Sequence, residues 1–151
     1  NINAPGQIVI SGELAKVETA VGVAKEYGIG RAMMLNVAGA YHSRLMESAY
    51  EKLGAVLERV PIQWPRFPVI SNVTGMEVTT AVEIRRTLQD QVTGTVRWLD
   101  CMERLIDLGC DFFIELGPGG VLAGLLRRTR KGVDVISAGD AEPVRKCAER
   151  M

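Results

Sequence analysis

The chain has little on which a charged or redox partner could act. Eighteen Lys and Arg are balanced by eighteen Asp and Glu, leaving no net charge. Global attraction to nucleic acid or to an anionic membrane is therefore excluded as an organising principle. Three cysteines, Cys101, Cys110 and Cys147, are odd in number and show no CxxC spacing. That argues against a disulfide framework or a zinc site and fits a reducing cytoplasm. No apolar run approaches the length of a membrane span, and no signal peptide is visible. The strand–turn–helix elbow GxSxG is absent, and so is the Gly-Lys-Ser/Thr ending of a phosphate-binding loop. The sequence opens at Asn1 rather than Met, which leads us to expect a fragment.

What remains is ordinary globular usage, with 47% hydrophobic and 24% charged residues in 151, enough for one domain with a core. Residues 7–11 read as a short strand. Leu14, Val17, Val21 and Ala24 follow at helical spacing, with Gly28 as the C-terminal cap. Residues 31–37 alternate like a strand, and Met46, Ala49, Leu53, Val56, Leu57 and Val60 mark an amphipathic helix. Pro61, Pro65 and Pro68 then enforce an extended linker. Short strands at 69–72 and 76–79 flank a Thr74-Gly75 turn. Thr80 and Glu83 form a capping box for a helix to Asp90. Trp98, Met102, Leu105 and Ile106 predict a helix closed by Gly109. Residues 112–116 predict a strand buried on both faces. Gly117-Pro118-Gly119-Gly120 turns into a helix from Val121 to about Arg128, and 133–137 forms the last strand. Asp140 caps a terminal helix. Strands alternating with helices predict α/β architecture with parallel pairing. Cys101 and Cys110 read as small core residues.

Three features carry candidate chemistry. His42 is the sole histidine and falls where a strand-like run gives way to a helix. An imidazole there is either a general base or a silent, hydrogen-bonded side chain. Ser43 beside it is not a triad partner by proximity, since nucleophile and base normally come from separate elements. The glycine run 117–120 either exposes backbone N–H groups to an anion or simply permits a tight turn. Arg127, Arg128, Arg130 and Lys131 either complement a helix C-terminus or offer a landing patch to an acidic partner.

Five segments, taken together, resemble one family. They are NINAPGQIVISG at 1–12, GAYHSRLM at 39–46, PVISNVTG at 68–75, QVTGTVRW at 91–98 and ELGPGGVLAGLL at 115–126. Their order and spacing are similar to the C-terminal half of the malonyl-CoA:acyl carrier protein transacylases of fatty acid synthesis. The resemblance implies part of an α/β-hydrolase-like acyltransferase core at 41–151, preceded by the later part of a ferredoxin-like α+β subdomain at 1–40. It implies a two-step acyl exchange through a serine, with malonyl-CoA as donor and acyl carrier protein as acceptor. His42 stands where the family has its base, and Gln91 where the family supplies a main-chain carbonyl to orient that base. Tyr41 and Asn3 are implied on the substrate side, Tyr41 by filling the space that a branched acyl group would need. Arg31, Arg127, Arg128 and Arg130 are the candidates for docking the acidic carrier. No cofactor is implied, because the carrier brings its own pantetheine thiol. The family's GHSxG nucleophile, its oxyanion-hole segments and its carboxylate-binding arginine have no counterpart in these residues. A polyketide-type acyltransferase, a related hydrolase, or a non-catalytic module that binds an acidic partner through 117–120 and 127–131 are the alternatives.

Overall fold

The computed structural model describes residues 1–148; the side chains of 146 and 147 fall outside that description, and with them the expectation for Cys147. The chain begins with a tight antiparallel hairpin, β1 (Ile2–Ala4) and β2 (Gln7–Ile8). The expected strand at 7–11 is thus shorter, and its partner is the turn-rich start of the chain. Ile2 N–H donates to the Val96 carbonyl at 2.8 Å, and β1 packs on two later helices. That docking buries Ala4.

Helix α1 (Leu14–Val23) runs into a 3-10 turn, Ala24–Tyr27, which Gly28 ends with a φ of 77°. This is the left-handed cap that glycine adopts without a Cβ penalty. No residue of α1 is buried.

The strand expected at 31–37 does not form: Met33, Met34, Leu35 and Val37 follow an irregular, exposed path. Alternation makes a segment fit for a ladder, but the strand exists only when a neighbour satisfies its N–H and C=O groups. Among the described residues no strand pairs with this one.

A 3-10 turn, Arg44–Met46, leads into α2 (Glu47–Leu57). Arg85 caps the far end of α2, its guanidinium donating to the carbonyls of Leu57 at 2.7 Å and Val60 at 3.0 Å. The prolines then hold an irregular linker up to the hairpin β3 (Val69–Ile70) and β4 (Glu77–Val78), which turns through Gly75 at φ 71°. Helix α3 (Ala81–Asp90) starts at the expected capping box, with Glu83 N–H donating to Thr80 Oγ1 and Thr80 N–H to Glu83 Oε2. Helix α4 (Trp98–Asp107) buries Cys101 and Met102 and is tied to β4 by a bidentate Arg104–Glu77 pair at 2.6 and 2.9 Å.

The last third is a β–α–β unit: β5 (Phe112–Leu116), α5 (Val121–Thr129) and β6 (Asp134–Ala138), the strands parallel and in register from Phe112–Asp134 to Leu116–Ala138. Helix α6 (Ala141–Ala148) follows. Cys101, Met102, Ala123, Leu126 and Val135 form the core between α4, α5 and β6. Two expectations are corrected here. Strand β5 is half-buried rather than buried on both faces, because β6 and α5 are what cover it, and Leu116 is exposed. Cys110 is exposed rather than in the core, since the turn at Gly109 (φ 89°) delivers it ahead of the strand.

Candidate active site around His42

The loop 39–43 is shaped by its own short side chains. His42 has a φ of 60°, the one non-glycine positive value among the described residues. That left-handed conformation costs a residue with a Cβ about 1–2 kcal/mol. Ser43 brackets it. The Ser43 hydroxyl donates to the Ala40 carbonyl at 2.6 Å and accepts from Leu45 N–H at 3.3 Å, capping the 3-10 turn that follows.

From this loop the half-buried imidazole reaches the end of α3, where Nδ1 lies 2.9 Å from the Gln91 main-chain oxygen. A carbonyl only accepts, so Nδ1 carries the proton in this contact, and in the neutral ring Nε2 presents its lone pair. The acceptor is available for a structural reason: Gln91 is the C-cap of α3, and the last carbonyls of a helix have no intrahelical donor. The Gln91 side chain donates to the Gly94 carbonyl at 3.0 Å, and Gly94 N–H to Asp90 at 2.8 Å, so the turn carrying the acceptor is closed on itself. The structure therefore joins His42 and Gln91 across 49 positions of sequence.

The other expected site residues are distributed. Tyr41 is exposed, with its ring lying over Gly39. Asn3 is half-buried on β1. Arg31 is exposed, its guanidinium 3.4 Å from the Met33 sulfur. In the basic cluster Arg127 donates to the Val135 carbonyl at 3.1 Å and Arg128 to the Gln7 side chain, so both have structural partners, while Arg130 is the exposed C-cap of α5. Beside the loop lies an open cleft of about 260 Å³ that includes Glu13, Lys16, Ser43 and Arg44. Glu13 pairs with both cations at 2.9 Å.

The helix start that follows the glycine run 117–120 is already occupied. Glu115, at the end of β5, turns its carboxylate onto the start of α5 and accepts from Leu122 N–H at 2.9 Å and Ala123 N–H at 3.2 Å, and from the Ser137 hydroxyl at 2.9 Å. These donors, the Leu122 amide foremost, hold its carboxyl below the usual carboxylate range. Sequence reasoning missed Glu115. The available signal was a helix whose N-cap, Gly120, has no side chain to cap with, preceded by an acid in an otherwise apolar strand. Burial pushes the Cys101 thiol up to about 11, which marks it as inert packing. Among the described residues no cluster of His, Cys, Asp and Glu fits a metal ion, and no helix is long and apolar enough to cross a membrane.

No protein-family model matches the chain. Known proteins do. The malonyl CoA-acyl carrier protein transacylase of Bacillus subtilis is 42% identical over 144 residues, which cover 95% of this chain and 45% of that protein. The crystal structure of the transacylase from Clostridium perfringens superposes with a TM-score of 0.90 at 37% identity, covering 98% of this chain and 46% of that one. A malonyl-transacylase solved in complex with a type II PKS acyl-carrier protein superposes at 0.86 with 34% identity, covering 93% and 45%. The chain thus spans about half the length of the relatives it matches.

Proposed function

The chain is homologous along nearly its whole length to malonyl CoA-acyl carrier protein transacylases, and on that premise we propose that it supplies the base for transfer of malonyl from CoA to acyl carrier protein. In this reading His42 Nε2 takes the proton of a serine hydroxyl as the oxygen attacks the malonyl thioester carbon. The imidazolium then gives that proton to the departing CoA thiolate. In the second half the same nitrogen takes the proton of the carrier's pantetheine thiol, whose sulfur attacks the acyl-serine, and the serine oxygen recovers its proton. The observation that carries the reading is the His42 Nδ1–Gln91 carbonyl contact. It fixes the tautomer needed at Nε2 without adding a buried negative charge.

The serine belongs to a half that these residues do not include, since no GHSxG motif occurs in them. Residues 1–40 are assigned to the later part of a small α+β subdomain and 41–151 to the acyltransferase core. Tyr41 and Asn3 line the acyl side, and Arg31 and Arg130 lead the docking of the acidic carrier in the cytoplasm, with Arg127 and Arg128 contributing charge while they hold β6 and β2. The reaction calls for no cofactor.

Labelled malonyl-CoA tests this. The chain by itself is expected to take up no covalent label. In an enzyme that joins this chain to the serine-bearing half, His42→Ala is expected to cut malonyl transfer to holo-carrier by about a hundredfold or more. Unchanged transfer would return His42 to a purely structural role.

A further inference from the structure

We propose that Ser43 is the positioning residue of His42: its one hydroxyl clamps the loop on both sides of the histidine and so holds the imidazole on the Gln91 carbonyl. Its catalytic consequence rests on the reading of His42 as the base.

The argument begins with the backbone. His42 is held at a φ of 60°, where a residue with a Cβ does not stay unless its surroundings over-determine it. Relaxation to the β or α region would rotate the Cα–Cβ bond and carry the ring away from its acceptor. Local contacts on the two flanks of residue 42 oppose that rotation directly, and a single atom makes one on each flank. Ser43 Oγ donates backwards to the Ala40 carbonyl at 2.6 Å, closing the turn that contains Tyr41 and His42. The same oxygen accepts forwards from Leu45 N–H at 3.3 Å, and Met46 N–H donates to the Ser43 carbonyl at 3.0 Å, fixing the turn that follows. The ring contact at 2.9 Å then depends on the loop geometry that Ser43 sets as well as on the Gln91 carbonyl that receives it.

A serine in this place has a plainer explanation as an N-cap, and the two roles differ chemically. A cap needs only an acceptor for the N–H at the second or third helical position, and Asp or Asn supplies it as well as Ser. The clamp also needs a donor to the Ala40 carbonyl, which an ionised Asp lacks and Thr retains.

The test reads the tautomer. His42 is the only histidine of the chain, so histidine-labelled full chain gives one set of ring 15N signals. Long-range 1H–15N correlation at about pH 9, well above the ordinary imidazole pKa of about 6.5, reports which nitrogen is protonated. The wild-type chain and Ser43→Thr are expected to hold the Nδ1–H form as the majority species. Ser43→Ala and Ser43→Asp are expected to lose that majority, although Asp still caps the turn. Should Ser43→Ala not fold, the Thr and Asp pair decides. A Ser43→Asp chain that keeps the wild-type tautomer overturns the clamp and leaves a cap. A wild-type chain without the Nδ1–H form overturns both the clamp and the functional reading, whereas loss of activity in His42→Ala with no tautomer change in the Ser43 variants overturns the clamp alone.

Discussion

Leu126→Ala probes the core that carries the β5–α5–β6 unit. Leu126 is 2% exposed and packs with Cys101, Met102, Ala123 and Val135. Truncation removes three buried carbons and leaves a void in the cluster. Such replacements cost about 2.7–5.0 kcal/mol, more where the site cannot collapse. Here Trp98, Leu105, Ile106 and Phe113 are only partly buried around the cluster. They have room to shift inwards, which places the cost near the lower end, about 3 kcal/mol. For a chain of this size each kcal/mol moves the melting temperature by about 2–4 °C, so the expected fall is about 6–12 °C. Leu122→Ala is the matched control: the same helix, the same exchange of one good helix former for another, but a side chain 42% exposed. It is expected to cost about half as much, about 1.5 kcal/mol. Urea unfolding followed by circular dichroism at one protein concentration measures both, with an unchanged m-value as the check on two-state behaviour. Equal losses from the two variants would refute the described core.

Three further outcomes follow from the geometry. Gly75→Ala combines a φ of 71° with a Cβ that would lie 2.8 Å from Asp100 Cβ; we expect a loss of about 1–3 kcal/mol in the same urea assay, and an unchanged midpoint would show that the β3–β4 turn is not held as described. The carboxyls of Glu77, Glu83 and Glu115 are held below the ordinary carboxylate value of 4.5, through the Arg104 side chain, the Thr79 amide and the Leu122 amide respectively as leading donors. The unfolded chain therefore binds protons that the folded chain refuses, so stability is complete above pH 4.5 and falls as pH drops below it through the depressed values. A stability–pH curve measured for Glu115→Gln should be shallower in that acid window, and an identical slope would remove Glu115 from the account. Thiol labelling at pH 8 in a Cys147→Ser background should modify exposed Cys110 and leave Cys101, whose thiol burial pushes up to about 11, untouched until denaturant is added; equal rates would contradict the packing of α4.

Legibility from sequence followed the range of the forces involved. The Thr80–Glu83 capping box, the Gly28 cap and the Thr74-Gly75 turn are decided within four residues, and each was readable. Residues 31–37 have the alternation of a strand, yet a strand is a property of a pair, and the pair is not encoded in the segment. Cys110 was misplaced because one glycine turn shifts where the buried register begins. Glu115 acts between a strand end and a helix start seven and eight positions on, a relation that exists only once β5 and α5 have packed. The meeting of His42 with Gln91 lay wholly outside local pattern. Resemblance to a family suggested it, and its physical basis is a helix end that leaves a carbonyl free.

The Glu115 carboxylate also bears on what the α5 terminus can recognise. A tethered group competes with any dissolved ligand at an effective concentration of millimolar order even on a flexible linker. Glu115 is held on a strand, and its amide partners are already satisfied. A free phosphate or acidic peptide would have to displace this resident before it gained its first hydrogen bond there. The helix start behaves as a receptor delivered with its ligand in place, and a further anion approaching this surface finds the Leu122 and Ala123 amides closed.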